Sequence, residues 1–388
     1  MNKFKFEGNA LEYFKIWIVN ILLTIITLGI YYPWAKVRSN IYFYKNTKIL
    51  DKNFNYLATG KQLFLGYLIA ICILAIYLIM DIIVPQFNFI FAILLFIAIP
   101  WIIWRSIKFN MRVTSFNNVK FKFDGKLSTV YLIYFIYPLA LFISIGLIIG
   151  IAFGIKSLWS IILSLLLIPI LLVVGLSFLE VKKHSYLFNF LEYGQSKFNI
   201  DLKTRIFIKI LFKTLIVAIA TFVGLCLLMY LINYTSIMQI TEQLNNMGGS
   251  GSMDKGFLVE QLKSFIPQLI LFYILGIIAN FVVYAYYQTR VREYVYSNLV
   301  LNNNITFTST LKFLKLTYII ITNILVIIIT LGLAIPWSKV RLTRYMLENT
   351  LISSNIDLNI FLNEQTTKES AIGEEIGDVL DIDTGIVI

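Results

Sequence analysis

The chain has 388 residues, 59% hydrophobic and 14% charged, with a formal net charge of +12 and a mean hydropathy of +0.79. A soluble domain carries about 25% charged residues and about 45–50% apolar ones, so that class is excluded. In a soluble chain this basic excess would suggest nucleic acid. In one this apolar it points to membrane orientation and to anionic lipid headgroups, and no nucleic-acid partner is expected.

The apolar residues fall in continuous blocks, which predicts membrane helices, because lipid offers backbone groups no other partner. In chain order the blocks run about 16–34, 63–84, 89–104, 130–155, 158–179, 206–233, 265–287 and 316–337. A crossing takes about 20 residues. The polar lead-in contains Phe4-Lys-Phe-Glu-Gly8, a pattern that returns as Phe121-Lys-Phe-Asp-Gly125. Segments 46–56, 113–123 and 298–307 each read as strand, polar turn and strand. A further strand-like pair is expected around Ser353-Ser-Asn355, whereas the stretch after Lys182-Lys183 to Arg205 reads only as polar. Gly248-Gly-Ser-Gly-Ser252 is a flexible low-complexity stretch. Residues 363–388 form an acidic tail, with seven acids against Lys368. The expected fold is an all-α polytopic membrane protein with internal repeats: one domain over 1–362, short cytoplasmic β-hairpins between the inserts, then the tail.

The segments 20–38 and 323–341 align without a gap. They share Asn20/Asn323, Thr27/Thr330, Gly29/Gly332, Pro33/Pro336, Trp34/Trp337, Lys36/Lys339 and Arg38/Arg341. Lys and Arg gather just past the helix ends, in 35–62, 105–129, 180–205, 289–313 and 338–362, and are sparse in the links between paired blocks. By the positive-inside rule those basic stretches are cytoplasmic. The first and last blocks then have basic segments on both sides. Two readings stay open for them: re-entrant or tilted elements broken at Leu28-Gly29 and Leu331-Gly332, where glycine and proline weaken a helix, or plain crossings.

Lys36, Arg38, Arg105, Arg112, Lys182, Lys183, Arg290, Arg292, Lys339 and Arg341 are candidates to contact lipid phosphates or an anionic solute. The plainer alternative is an orientation signal with snorkelling side chains. Trp34 and Trp337 stand where interfacial anchors sit. Asn20, Thr27, Gly29 and Pro33, with Asn323, Thr330, Gly332 and Pro336, either pack helices or line a pathway. Asp81 falls at the outer end of its block, where an acid costs little. Cys72 and Cys226 lie in apolar blocks, and His184 has no Cys/His neighbours, so neither a disulfide nor a metal is expected. No catalytic or cofactor-binding spacing is present, and the chain is not expected to be an enzyme.

Thr27-Leu-Gly-Ile-Tyr-Tyr-Pro-Trp-Ala-Lys-Val-Arg38, continuing to Tyr42 and Asn46-Thr47, resembles the YjgN family of bacterial inner-membrane proteins, a family of unknown function. The acidic ending 373–385 adds to the resemblance, which implies an inner-membrane location and supplies no reaction. Two functions are expected from the residues themselves. One is a transporter or channel-like protein for a small or amphipathic solute. The other is a non-transporting scaffold that binds anionic lipid or a partner protein through a basic cytoplasmic face.

Overall fold

The computed structural model describes residues 1–235, 237–238, 241–242 and 255–368. The low-complexity stretch 248–252 and the tail from 369 onward lie outside the described residues. The chain divides into two compact units, one of Met1–Ile208, Arg292–Leu311 and Val326–Ile388, the other of Lys209–Val291 and Lys312–Leu325.

The strands depart furthest from expectation. Eleven of them, all in the first unit, join in one antiparallel sheet: β1 (Asn2–Lys3), β2 (Lys5–Phe6), β3 (Thr47–Ile49), β4 (Lys52–Tyr56), β5 (Thr114–Phe116), β6 (Val119–Phe123), β7 (Leu191–Tyr193), β8 (Ser196–Ile200), β9 (Leu299–Leu301), β10 (Ile305–Ser309) and β11 (Thr350–Ser354). Their order is β1-β11-β10-β9-β8-β7-β6-β5-β4-β3-β2. β1 and β2 are one extended run interrupted at Phe4. Asn2 faces Ile352 on β11, while Lys5 faces Lys48 on β3. The first six residues thus bridge the two ends of the sheet and bring it close to a barrel. An all-α fold with separate hairpins is therefore incorrect. The physical reason is that a lone hairpin is marginally stable and exposes its edges, whereas a ring pairs them.

Local turn chemistry makes each hairpin. Leu50-Asp51 and Asn117-Asn118 have φ of 49° and 61°, and 47° and 65°, as two-residue turns between twisted strands require. The pair β7–β8, turning at Gly194-Gln195, was not legible in the polar stretch before Arg205. Near Ser353 there is one strand, β11, rather than two. In β6, Val119-Lys-Phe-Lys-Phe123, the two ends are buried and both lysines exposed, and β8 alternates buried and exposed residues along its length. Such alternation gives the sheet an apolar interior and a wet exterior.

Among the described residues the helices that carry the fold are α1 (Ala10–Ile26), α2 (Tyr32–Lys45), α3 (Gly60–Ile83), α4 (Asn88–Arg112), α5 (Leu127–Ile155), α6 (Leu158–Asn189), α7 (Thr204–Ile232), α8 (Lys255–Ser297), α9 (Phe313–Ile329), α10 (Ile335–Glu348) and α11 (358–368). Six of them, α3 to α8, are long and apolar enough to cross a membrane. Each helical insert leaves one strand and returns to that strand's hydrogen-bonded neighbour. The pair α1–α2 joins β2 to β3, α3–α4 joins β4 to β5, and α5–α6 joins β6 to β7. Likewise the α7–α8 segment joins β8 to β9, and α9–α10 joins β10 to β11. Every insert therefore ends on the side where it began.

For α1–α2 and α9–α10 this is the geometry of a broken, returning element. At the end of α1, Gly29 N–H donates to Thr24 O (2.7 Å) and Leu28 N–H to Ile25 O (3.0 Å). After α9, Gly332 N–H donates to Ile327 O (2.8 Å) and Leu331 N–H to Ile328 O (3.1 Å). This is a Schellman-type helix stop. Leu28 and Leu331 take φ of 49° and 50°, a left-handed conformation that costs a leucine about 1–2 kcal/mol, and Gly29 and Gly332 take 92° and 93°. Thr27 Oγ1 donates to Leu23 O and accepts from Tyr31 N–H, and Thr330 Oγ1 does the same with Val326 O and Ala334 N–H. Pro33 and Pro336 then restart the chain in the first turn of α2 and α10, where a missing N–H costs nothing.

In the second unit, the edge of Tyr286 meets Phe313 at 5.6 Å, and Asn233 turns its amide back onto Met229 O (2.8 Å). In the first unit α11 lies against the sheet. Gln365 Oε1 accepts from Gln195 N–H (3.0 Å), and Thr366 Oγ1 accepts from Asn117 Nδ2 (3.0 Å). The expected boundary at 362/363 falls inside this helix.

Candidate functional site

The α1–α2 element opens a cavity of about 440 Å³ lined by Trp17, Asn20, Ile21, Thr24 and Ile25 from α1 and by Tyr32, Ala35, Lys36, Ser39 and Asn40 from α2, with Lys339 of α10. On α1 the lining follows a helical stripe, every third or fourth residue, and α2 supplies a facing one. Asn20 is 4% exposed and ties the two helices together, its Nδ2 donating to Ala35 O at 3.2 Å. Its Oδ1 is buried and accepts no hydrogen bond. A buried acceptor without a donor is costly.

Lys339 reaches the cavity because α10 packs against α1. Its Nζ lies 3.4 Å from the Tyr13 hydroxyl and 4.7 Å above the Phe43 ring. Lys36 is exposed at the rim. Asn20, Lys36 and Lys339 thus border one space, with Thr24, Ser39 and Asn40 as further polar lining and Trp17, Ile21, Ile25, Tyr32 and Ala35 as the apolar wall. Sequence reasoning singled out Asn20, Lys36 and Lys339 separately; the structure brings these three together. It missed Trp17, Thr24, Ser39 and Asn40, which helical spacing from Asn20 and Lys36 marks out. Nearby, Tyr42 accepts from Asn9 N–H (2.6 Å) and donates to Asn9 O (2.7 Å), and burial pushes its phenol up to about 12.

Several of the other basic candidates rest on neighbours along their own helix. Arg38 donates to the Tyr31 hydroxyl (3.3 Å), Lys182 lies 5.3 Å above Phe178, and Lys183 pairs with Glu180 at 3.2 Å. Arg341 stacks 5.0 Å above Trp337, and Arg290, in the second unit, 5.6 Å above Tyr286. Arg105 and Arg112 are exposed on α4. Cations seated on rings near helix ends are what snorkelling produces. Arg292 instead lines the interior of the sheet. Asn323, the counterpart of Asn20, is buried in the second unit. Trp34 is half-buried between Tyr31 and Phe64, with ring centroids at 6.2 and 5.2 Å. Among the described residues no group of three or more His, Cys, Asp or Glu could hold a metal ion.

The model of a family described as bacterial protein of unknown function (DUF898) matches residues 1–379. The chain belongs to the DUF898 family. It is 27% identical over 377 residues to inner membrane protein YjgN of Escherichia coli O157:H7, covering 94% of this chain and 92% of that protein. The same coverage holds for inner membrane protein YjgN of Escherichia coli K12, at 26%, and of Salmonella typhimurium, at 27%. No solved structure matches this DUF898 chain. The likeness to YjgN first read from residues 27–38 extends over nearly the whole length, and the six apolar helices agree with a multi-span membrane protein.

Proposed function

We propose that this DUF898 protein is a multi-pass protein of the bacterial inner membrane that binds anionic lipid headgroups in the α1–α2 cavity. What supports this reading is the lining of that cavity, which holds Lys36, Lys339 and Asn20, the last with an amide oxygen buried without a donor. A phosphodiester headgroup with a free hydroxyl satisfies all three, its oxygens accepting from Lys36 and Lys339 and its hydroxyl donating to Asn20 Oδ1. Trp17, Ile21 and Ile25 offer apolar surface to the acyl chains. The protein acts as a binding scaffold rather than an enzyme, with no cofactor.

Basic residues concentrate on the strand side of the inserts, so the sheet and the chain's C-terminal end face the cytoplasm. The succession of helix pair and strand pair is read as duplication of one unit. In a background without Cys72 and Cys226, cysteines at Lys5, Lys52 and Ser353 should all label from the cytoplasmic face. Labelling of any one from the opposite face would rule out this arrangement.

The function is tested in nanodiscs of phosphatidylglycerol and phosphatidylethanolamine by counting retained lipids in native mass spectrometry. Replacing Lys36 and Lys339 by Gln should lower phosphatidylglycerol preference about thirtyfold, from roughly 1 kcal/mol per lysine. An unchanged preference refutes the proposal. The broken elements α1–α2 and α9–α10 favour a second reading, transport of a small or amphipathic solute. Flux in proteoliposomes that survives loss of headgroup preference would point there instead.

A further inference from the structure

The interior of the sheet holds a second cavity, of about 280 Å³, that shares no lining residue with the α1–α2 cavity. Phe54, Phe116, Phe121, Phe198 and Phe307 reach it from five different strands. Among the described residues the one charged side chain on its wall is Arg292, near the end of α8. Arg292 Nη2 donates to Thr350 Oγ1 (2.8 Å) and Met346 O (3.3 Å), and its guanidinium carbon lies 4.5 Å from the centre of the Tyr296 ring. Its Nε is buried without a hydrogen-bond partner. The described ion pairs give this guanidinium no carboxylate. Arg292 is part-buried, and a buried guanidinium N–H left without a partner is a costly arrangement that an anion would complete.

We propose that the sheet interior binds a medium-chain fatty acid, with its carboxylate on Arg292 and its chain among the phenylalanines. At roughly 30 Å³ for a group the size of a water molecule, about nine such groups fit, which suits the carbons of decanoate beyond its carboxyl. One free N–H on a partly occupied guanidinium suits a carboxylate better than a phosphate, which has more oxygens and more charge to satisfy. Helix α11 is the cover. Leu358, Phe361 and Leu362 complete the wall, and the bonds of Gln365 to Gln195 and of Thr366 to Asn117 pin the helix over the turns β7–β8 and β5–β6.

The test is titration calorimetry of the full chain in nanodiscs, with decanoate, decanol and decyl phosphate as probes. Wild-type protein should bind decanoate tenfold to a hundredfold more tightly than decanol, the range for a hydrogen bond to a charged group. Arg292→Gln should remove that difference, and Leu301→Trp, which fills the cavity, should abolish binding of both. Equal affinity for decanoate and decanol in the wild type, undetectable decanoate binding, or tighter binding of decyl phosphate would each overturn the proposal. If Arg292→Gln does not fold, the wild-type comparison and Leu301→Trp still decide. The Lys36→Gln, Lys339→Gln pair leaves decanoate binding unchanged, so failure of the headgroup site and failure of this one are read separately.

Discussion

A chain lacking residues 1–6 is expected to lose about 5 kcal/mol of stability and to aggregate once extracted. Phe6 is 4% exposed, stacked 5.7 Å from Phe43 and clustered with Tyr13 and Val340. Burial of such a side chain contributes about 1.5–3 kcal/mol. β1 and β2 each pair two residues with a neighbouring strand, and each net hydrogen bond adds about 1 kcal/mol. The larger effect is on the strands left behind. Without the first six residues, β11 and β3 become free edges, and free edges pair with other chains. A thermal melt followed by tryptophan fluorescence, together with size-exclusion chromatography, checks both effects. An unchanged midpoint and a monodisperse peak would mean that the ring needs no closing strand. Lys3→Ala and Lys5→Ala, which change only outward side chains, should shift stability by no more than about 0.5 kcal/mol.

Gly60→Ala is expected to cost about 3 kcal/mol, the upper range for overpacking. A Cβ at Gly60 would lie 2.1 Å from Trp34 Cδ1, 2.4 Å from Nε1 and 2.5 Å from Cγ. The indole has little room to retreat, because Tyr31 and Phe64 flank it. The Thr59 capping box with Gln62 fixes the start of α3 at this point, so the helix does not shift cheaply either. Trp34→Ala removes the obstacle. In the double variant the Gly60→Ala penalty should shrink by about 2 kcal/mol. Strict additivity of the two changes would show that Trp34 serves only as an interfacial anchor, as its position before Lys36 suggested.

The helices were legible because continuous apolar blocks leave few alternatives in lipid, and the matched breaks because Gly29 with Pro33 and Gly332 with Pro336 interrupt them at equal spacing. Individual hairpins showed through their turns, as at Asn117-Asn118. Their union did not, because pairing Asn2 with Ile352 joins residues that no local pattern relates. β7–β8 escaped because Leu191-Glu-Tyr193 is too short to display alternation. At the candidate site, Asn20, Lys36 and Lys339 stood out as residues repeated or placed past a helix end. Their convergence needed the packing of α10 on α1. Arg292 was grouped with the headgroup contacts because sequence position alone cannot tell a side chain turned into the sheet from one turned to the bilayer surface.

The closing strand also sets a schedule for biogenesis. Asn2 leaves the ribosome 350 residues ahead of its partner Ile352. At roughly 5–20 residues per second, the wait is on the order of 20–70 s. Throughout that interval the nascent chain inserts its helices with an incomplete ring, and β1 has to stay unattached to anything else. Synthesis of the last strand is the event that lets the ring close.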